Sequence, residues 1–221
     1  HRHAKQPVHP AHRHRIVRDD QVASLRFAAH RVEQVAEAID IGIMVYHTHW
    51  LIGGRIEVDT ILKMSDIENV VSVKWSNPAD VAYEEMAKFS ERFNVINNGG
   101  DPVSCHEMGG RGYINLTAHS YPKHDLTLWE LMENKKYDEA RDLYFKVDRP
   151  VRSFNEKINE RSGGQARLVK GMMALMGLPC GASRPPSEPM DETELTQLRD
   201  MLLSFDWPVE MTVKQALEET T

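Results

Sequence analysis

The stretch Val70-Val71-Ser72-Val73-Lys74-Trp75-Ser76 decides the fold. It is short, apolar and rich in β-branched residues, which is typical of a strand buried on both faces of a parallel sheet. A second run of this kind, Ile41–Tyr46, precedes it along the chain. The same pattern predicts two further strands, at Phe93–Ile96 and Tyr113–Leu116.

Helical patterns separate these strands and then replace them. Before and between the strands, the spacing of apolar residues and the flanking prolines predict helices at Asp20–Asp40, Val58–Met64, Pro78–Arg92 and Val103–Met108. After Thr117 only helices are expected, at Leu126–Glu133, Tyr137–Glu160, Gln165–Met176 and Glu192–Phe205. Alternation of strand and helix predicts an α/β fold with a parallel sheet.

Composition sets limits on the domains and on the class of function. The 221 residues are 41% hydrophobic and 27% charged, with a formal net charge of −6. An acidic balance disfavours nucleic-acid and membrane-surface binding, and two cysteines without a CxxC spacing favour a reduced, cytoplasmic chain. We expect a disordered His/Arg-rich segment at 1–18, a partial barrel at 19–125 and a helical region at 126–221.

Lys74 is the first candidate for chemistry. It ends a predicted strand, and the carboxyl ends of parallel strands are where α/β proteins place their active sites. Partial removal from water favours the neutral amine, which can attack a ketone and form an imine. The alternative is an ordinary lysine whose ammonium extends from the strand end into solvent.

Tyr46 and two histidines occupy the equivalent end of the preceding strand. The Tyr46 phenol could pass protons during imine chemistry, although a core aromatic with a hydrated hydroxyl is the structural alternative. His47 and His49 alternate and should face one side of an extended segment, so a third ligand would give them a metal site. A loosely metal-binding role for the N-terminal histidines is a further hypothesis.

Five motifs, in order, resemble the dihydrodipicolinate synthase / N-acetylneuraminate lyase family from about Val32 to about Phe205. The segment around Tyr46 resembles the family's strand-five motif, and the segment around Lys74 resembles its strand-six motif. Gly99-Gly100-Asp101 resembles the family's strand-seven turn. Gly109–Ala118 resembles its strand-eight motif, in which Ile114 has the pocket-lining position. Val169–Met172 and the proline-rich segment that follows resemble its C-terminal helical region.

This resemblance implies a TIM-barrel enzyme of the (β/α)8 type with an appended helical domain, often a homotetramer. Lys74 would form a Schiff base with pyruvate or a related 2-oxo acid, and Tyr46 would pass protons. Gly99, Ile114 and His47 would contact the substrate, with no cofactor or metal. The matching strands are five to eight of the barrel. The first four strands and their carboxylate-binding loop have no counterpart here, so the chain could be inactive.

Three departures from the family pattern favour a divergent substrate. His47-Thr48-His49-Trp50 stands where the family has Asn-x-Pro, and Trp75 follows the lysine. The arginine that binds a dicarboxylate in dihydrodipicolinate synthase would fall near Leu51 or Ile52, whereas Arg55 is close but out of register. These differences predict a lyase or aldolase that acts on another 2-oxo acid. A second hypothesis is a non-catalytic half-barrel that assembles with a complete homologue.

Overall fold

The computed structural model describes residues 30–51 and 54–221. The chain divides after Ile114 into two compact units. The predicted disordered segment at 1–18 and the first part of the helix predicted at Asp20–Asp40 lie outside the described residues. None of the helices among the described residues is long and apolar enough to cross a bilayer.

The first unit alternates strands with helices, as the sequence predicts. It contains α1 (residues 30–38), β1 (Ile43–Tyr46), α2 (Val58–Met64), β2 (Val70–Trp75), a 3-10 segment (Tyr83–Lys88), β3 (Asn94–Asn97), α3 (Pro102–Glu107) and β4 (Gly112–Tyr113). The four strands form one parallel sheet in the order β1-β2-β3-β4. The α/β class with a parallel sheet is therefore confirmed.

One face of the sheet packs against the helices. Val45, Val73 and Val95 are neighbours in register across β1, β2 and β3, and all three are buried. They pack with apolar residues of α2, α3 and the segment between β2 and β3, including Ile61, Met64, Met86, Phe89 and Cys105. Removal of this apolar surface from water is the main term that stabilises the sheet.

The opposite face of the sheet carries the next row of side chains. Tyr46, Lys74 and Ile96 are neighbours in register, one residue along from the buried valines. Because successive side chains of a strand point to opposite faces, this row lies on the side away from the helical layer. Tyr46 is 44% exposed and Met44 is 50% exposed, so the part of this face formed by β1 is open to solvent.

Two predictions for the first unit are wrong in detail. Pro78–Arg92 forms only the 3-10 segment, because side chains take carbonyls that a helix would use: the Trp75 indole donates to the Tyr83 carbonyl at 3.3 Å and the Asn77 amide to the Val81 carbonyl at 2.8 Å. The fourth strand ends at Tyr113 rather than Leu116, since the Asn115 side chain accepts from the Leu116 amide at 2.9 Å and turns the backbone.

The second unit is helical in the described residues. After a 3-10 turn (Thr117–His119) come α4 (Pro122–Glu133), α5 (Tyr137–Lys146), α6 (Asp148–Asn159), α7 (Ala166–Leu175), α8 (Glu192–Ser204) and α9 (Val213–Thr220). Its core is built mainly from α6, α7 and α8, with Leu168, Met172, Leu195 and Leu198 fully buried. The domain boundary predicted at 125/126 falls within α4.

Two helix predictions for this unit need correction. The single helix predicted over Tyr137–Glu160 is two helices, because the backbone is distorted at Val147, whose φ of −115° is far from the usual α-helical value of about −63°. The helix α9 was not predicted; it begins at a capping box formed by Thr212 and Gln215.

Candidate active site

Lys74 and Tyr46 form the centre of the site. Lys74 is the last but one residue of β2 and Tyr46 is the last residue of β1, and the two are direct cross-strand partners in the parallel register. The Lys74 Nζ lies 3.9 Å from the centroid of the Tyr46 ring, a cation–π distance. Lys74 is partly buried and Tyr46 is partly exposed. An amine and a phenol thus meet at the carboxyl end of the sheet, on its open face.

His47 connects the ends of the same two strands from the opposite side. It is fully buried, its ring stacks on Trp75 at 5.1 Å and 16°, and its Nδ1 lies 2.6 Å from the Ser76 carbonyl. Since a carbonyl only accepts, Nδ1 carries the proton. The Ser76 hydroxyl donates back to the His47 carbonyl at 3.0 Å, and the His47 amide donates to the Lys74 carbonyl at 3.1 Å.

The environment of His47 favours the neutral ring. Burial lowers the pKa of His47, although the hydrogen bond to Ser76 opposes this change. Its Nε2 is buried and has no hydrogen-bond partner among the described residues. His47 was predicted to contact substrate; the structure places its ring on the helix-covered side of the sheet, whereas Tyr46 and Lys74 lie on the open side.

The other two predicted residues lie at the ends of β3 and β4. Gly99 has φ +108°, a conformation that side chains rarely adopt, and it forms the turn after β3. Ile114 follows β4 and is 53% exposed. Sequence reasoning missed Asn98, whose amide donates to the Tyr46 hydroxyl at 3.4 Å. Lys74 was identified because a polar residue at the end of a predicted buried strand is a candidate for chemistry, and the same pattern would have identified Asn98.

The loop after β1 adds aromatic groups and one arginine. Trp50 lies edge-on to Tyr46, with ring centroids 5.9 Å apart, and edge-on to His49 at 5.0 Å. The His47 and His49 rings are 5.5 Å apart. Arg55 donates to the Glu57 carboxylate at 2.7 Å and to Asp80 at 3.0 and 3.1 Å.

Among the described residues, a potential set of metal ligands occurs in the second unit and not at the histidines of this site. Ligand atoms of His124, Asp125 and Asp148 lie within 4.8 Å of one another. The His124 Nε2 is bonded to Asp148 at 2.9 Å, and the Asn115 amide donates to both carboxylates. Burial raises the pKa of Asp125. The group is a hydrogen-bonded network that connects Asn115 to α4 and α6.

Comparison with known sequences gives the family. The profile of the dihydrodipicolinate synthetase family matches residues 25–204. The 4-hydroxy-tetrahydrodipicolinate synthase of Methanosarcina mazei is 27% identical over 173 residues, which are 77% of this chain and 57% of that protein. The enzyme of the same name from Teredinibacter turnerae is 29% identical over 157 residues, covering 68% of this chain and 52% of that protein. The chain thus spans a little over half the length of these relatives.

Solved structures agree on the fold. The chloride-inhibited dihydrodipicolinate synthase of Acinetobacter baumannii, complexed with pyruvate, superposes with a TM-score of 0.68 at 20% identity, covering 83% of this chain and 62% of that one. A Sulfolobus 2-keto-3-deoxygluconate aldolase gives a TM-score of 0.67 at 18% identity, covering 82% of this chain and 60% of that one. The profile match extends over most of the chain, which therefore belongs to the dihydrodipicolinate synthetase family.

Proposed function

We propose that this chain carries the imine-forming half of a pyruvate-type aldolase or lyase active site, with Lys74 as the nucleophile. The observation that supports this most directly is the Lys74–Tyr46 pair, in which an amine and a phenol from adjacent strands lie 3.9 Å apart from nitrogen to ring centroid. Family membership and the pyruvate complex of the Acinetobacter structure support a 2-oxo acid as the substrate.

The chemistry follows from the two groups. The neutral Lys74 amine attacks the ketone carbon of the 2-oxo acid, and the resulting carbinolamine loses water to give the imine. The protonated imine withdraws electrons from the neighbouring carbon, so a proton leaves that carbon and an enamine forms. The enamine then adds to an aldehyde, or the reverse step breaks that carbon–carbon bond.

Tyr46 is placed to move protons in these steps. Its hydroxyl accepts a hydrogen bond from Asn98 at 3.4 Å, and its ring lies 3.9 Å from the Lys74 Nζ. A phenol beside the amine can give a proton to the departing carbinolamine oxygen and take one back. Gly99 and Ile114, after β3 and β4, are proposed to line the same pocket, and His47 is proposed to hold the strand ends rather than to touch substrate.

The open face of the sheet supports the assignment of β1 to β4 as the second half of a barrel. A TIM barrel closes with eight strands, and its interior is filled by side chains from every strand. The row of Tyr46, Lys74 and Ile96 has the position of interior residues, yet Tyr46 is 44% exposed. We propose that further strands complete this pocket in the active protein and that copies of it associate, which size-exclusion chromatography with light scattering can measure.

Reductive trapping tests the proposal. The protein is incubated with pyruvate and sodium borohydride, and the modified peptide is located by mass spectrometry. We expect an adduct on Lys74 that disappears in Lys74→Arg but persists in Lys88→Arg, which changes an exposed lysine of the 3-10 segment. A folded protein, verified by circular dichroism, with no adduct on Lys74 would contradict the proposal.

Tyr46→Phe separates the two roles at this site. The variant keeps the ring against Lys74 but lacks the hydroxyl, so the adduct should still form, about 10²-fold more slowly if the phenol acts as a general acid–base. Tyr137→Phe, which removes a hydroxyl at the start of α5, serves as the control. Trapping at the wild-type rate in Tyr46→Phe would remove Tyr46 from the mechanism.

A further inference from the structure

We propose that the part of the pocket beside Tyr46 binds an aldehyde with an aromatic or other planar apolar body, not one with a second carboxylate. This inference rests on the proposed function, since it names the second substrate of the same imine chemistry. It is carried by two observations: the exposed ring of Trp50 next to Tyr46, and the pairing of Arg55 with two carboxylates.

Trp50 presents a large apolar surface at this end of the sheet. Its side chain is 53% exposed although its ring lies edge-on to both Tyr46 and His49. Aromatic pairs favour edge-to-face contacts, so these neighbours hold the indole at a fixed angle while part of its surface remains free. Small-molecule sites are lined mainly by such rings with a few polar groups, here the Tyr46 hydroxyl and the Asn98 amide.

The cation that could bind a second carboxylate is already engaged. Arg55 is the sole Lys or Arg between Tyr46 and Glu57. Its Nε donates to Glu57 at 2.7 Å, and its Nη atoms donate to Asp80 at 3.0 to 3.1 Å. These hydrogen bonds, first that to Glu57, raise the pKa of Arg55.

The Arg55 cluster also has the wrong net charge for an anionic substrate. One guanidinium faces two carboxylates, so Arg55, Glu57 and Asp80 together carry a formal charge of −1. Arg55 directly follows the loop after β1, where the Leu51 amide donates to the Thr48 carbonyl at 2.9 Å and the Gly54 amide donates to the Leu51 carbonyl at 3.0 Å. A carboxylated aldehyde would have to compete with Asp80 for the guanidinium and would meet the charge of Glu57, whereas an aromatic aldehyde would meet neither penalty.

The reaction with such an aldehyde balances without another reagent. The carbon of the Lys74 enamine forms a bond with the aldehyde carbon, and the electron pair of the aldehyde C=O moves to its oxygen, which takes a proton. One water then hydrolyses the imine, replacing the one released when it formed, and Lys74 is regenerated. The product is a 4-hydroxy-2-oxo acid with the aromatic group on carbon four, and the reverse reaction cleaves the same bond.

Binding is tested with two alcohols that cannot form imines with lysines. Benzyl alcohol represents the aromatic aldehyde, and 4-hydroxybutyrate represents a carboxylated one. Their Kd values are measured by ligand-observed NMR with pyruvate present. The proteins compared are wild type, Trp50→Ala and Trp50→Phe. Phe145→Ala is the control, because it removes an exposed aromatic side chain from α5. We expect benzyl alcohol to bind wild type and Phe145→Ala at least about fivefold more tightly than Trp50→Ala, with Trp50→Phe intermediate.

Asp80→Asn provides the reciprocal test. It removes a carboxylate from Arg55, so 4-hydroxybutyrate should bind severalfold more tightly while benzyl alcohol is unaffected. Two results would overturn the inference even if pyruvate is trapped on Lys74. Benzyl alcohol could bind wild type and Trp50→Ala with the same Kd, or wild type could bind 4-hydroxybutyrate more tightly than benzyl alcohol. Binding that depends on Trp50 without any trapped adduct would instead contradict the proposed imine chemistry.

Discussion

Replacing His47 with alanine tests whether the ends of β1 and β2 are held together by a single side chain. The imidazole donates from Nδ1 to the Ser76 carbonyl at 2.6 Å and stacks on Trp75 at 5.1 Å. Alanine retains the backbone hydrogen bond from residue 47 to the Lys74 carbonyl but removes both side-chain contacts. The loss should therefore appear as local opening of the strand ends beside Lys74.

The magnitude follows from the contacts removed. A buried carbonyl left without its donor costs about 1–3 kcal/mol. The lost ring stacking adds about 0.5–1.5 kcal/mol. We therefore expect His47→Ala to lower the opening free energy by about 3 kcal/mol, before any contribution from the space left beside Trp75. His47→Asn, whose amide can still donate to a carbonyl, should lose less.

The pH dependence provides a second measure of the same contact. The His47 pKa is lowered in the fold from the ordinary value of 6.5, first because the ring is buried. Below pH 6.5 the unfolded chain therefore binds more protons than the folded chain, and stability falls as the pH falls, by up to about 1.4 kcal/mol per pH unit. Above pH 6.5 both states are neutral at this residue and its contribution is constant.

Amide hydrogen exchange at residue 47 reports the relevant opening directly, because this amide donates to the Lys74 carbonyl. The exchange free energy is compared for wild type, His47→Ala and His47→Asn, from pH 7.5 to pH 5.5. His119→Gln, in the 3-10 turn of the second unit, is the control. A loss below 1 kcal/mol in His47→Ala, or a pH slope that persists without His47, would refute the reasoning.

Two further predictions concern the second unit. Burial opposes ionisation of Glu194, but hydrogen bonds from Arg161, the Asp191 amide and Arg167 lower its pKa to about 2. Urea titrations should therefore show that the free energy of unfolding falls as the pH falls from 4.5 to 2. Glu194→Gln should remove this pH dependence and cost about 2–3 kcal/mol, because it leaves the buried Arg167 without its carboxylate partner. Asp148→Asn should cost about 2 kcal/mol in the same titrations, since an amide accepts less well from buried His124; an unchanged midpoint would contradict it.

The strands could be predicted because their signal is local. The predicted runs at Ile41–Tyr46 and Val70–Lys74 are apolar, β-branched and short, and the structure has strands at Ile43–Tyr46 and Val70–Trp75. The segment at Pro78–Arg92 could not be assigned from periodicity. Its helical hydrogen bonds are replaced by bonds from Trp75 and Asn77, and such competition depends on tertiary contacts that the pattern does not contain.

The sequence pattern was enough to predict that Tyr46 and Lys74 are adjacent and that His47 points to the other face of the sheet. Tyr46 and Lys74 could be placed together because both end predicted parallel strands. Alternation along a strand, applied to Tyr46, also implies that His47 points the opposite way, and it does so in the structure, stacking on Trp75. The roles of Lys74 and Tyr46 in catalysis stay predictions until trapping is done.

An irregularity in β1 and β2 determines which residue faces Tyr46. Ile43 pairs with Val70, but Met44 pairs with Ser72, so Val71 is passed over and the register shifts by one. Without this bulge Tyr46 would pair with Val73, and the lysine would lie one step further along the sheet. Gly42 makes room for the bulge, because a Cβ there would lie 2.9 Å from Val71 Cγ2. Bulges commonly redirect side chains next to active sites, and this one creates the amine–phenol pair on which the proposed chemistry depends.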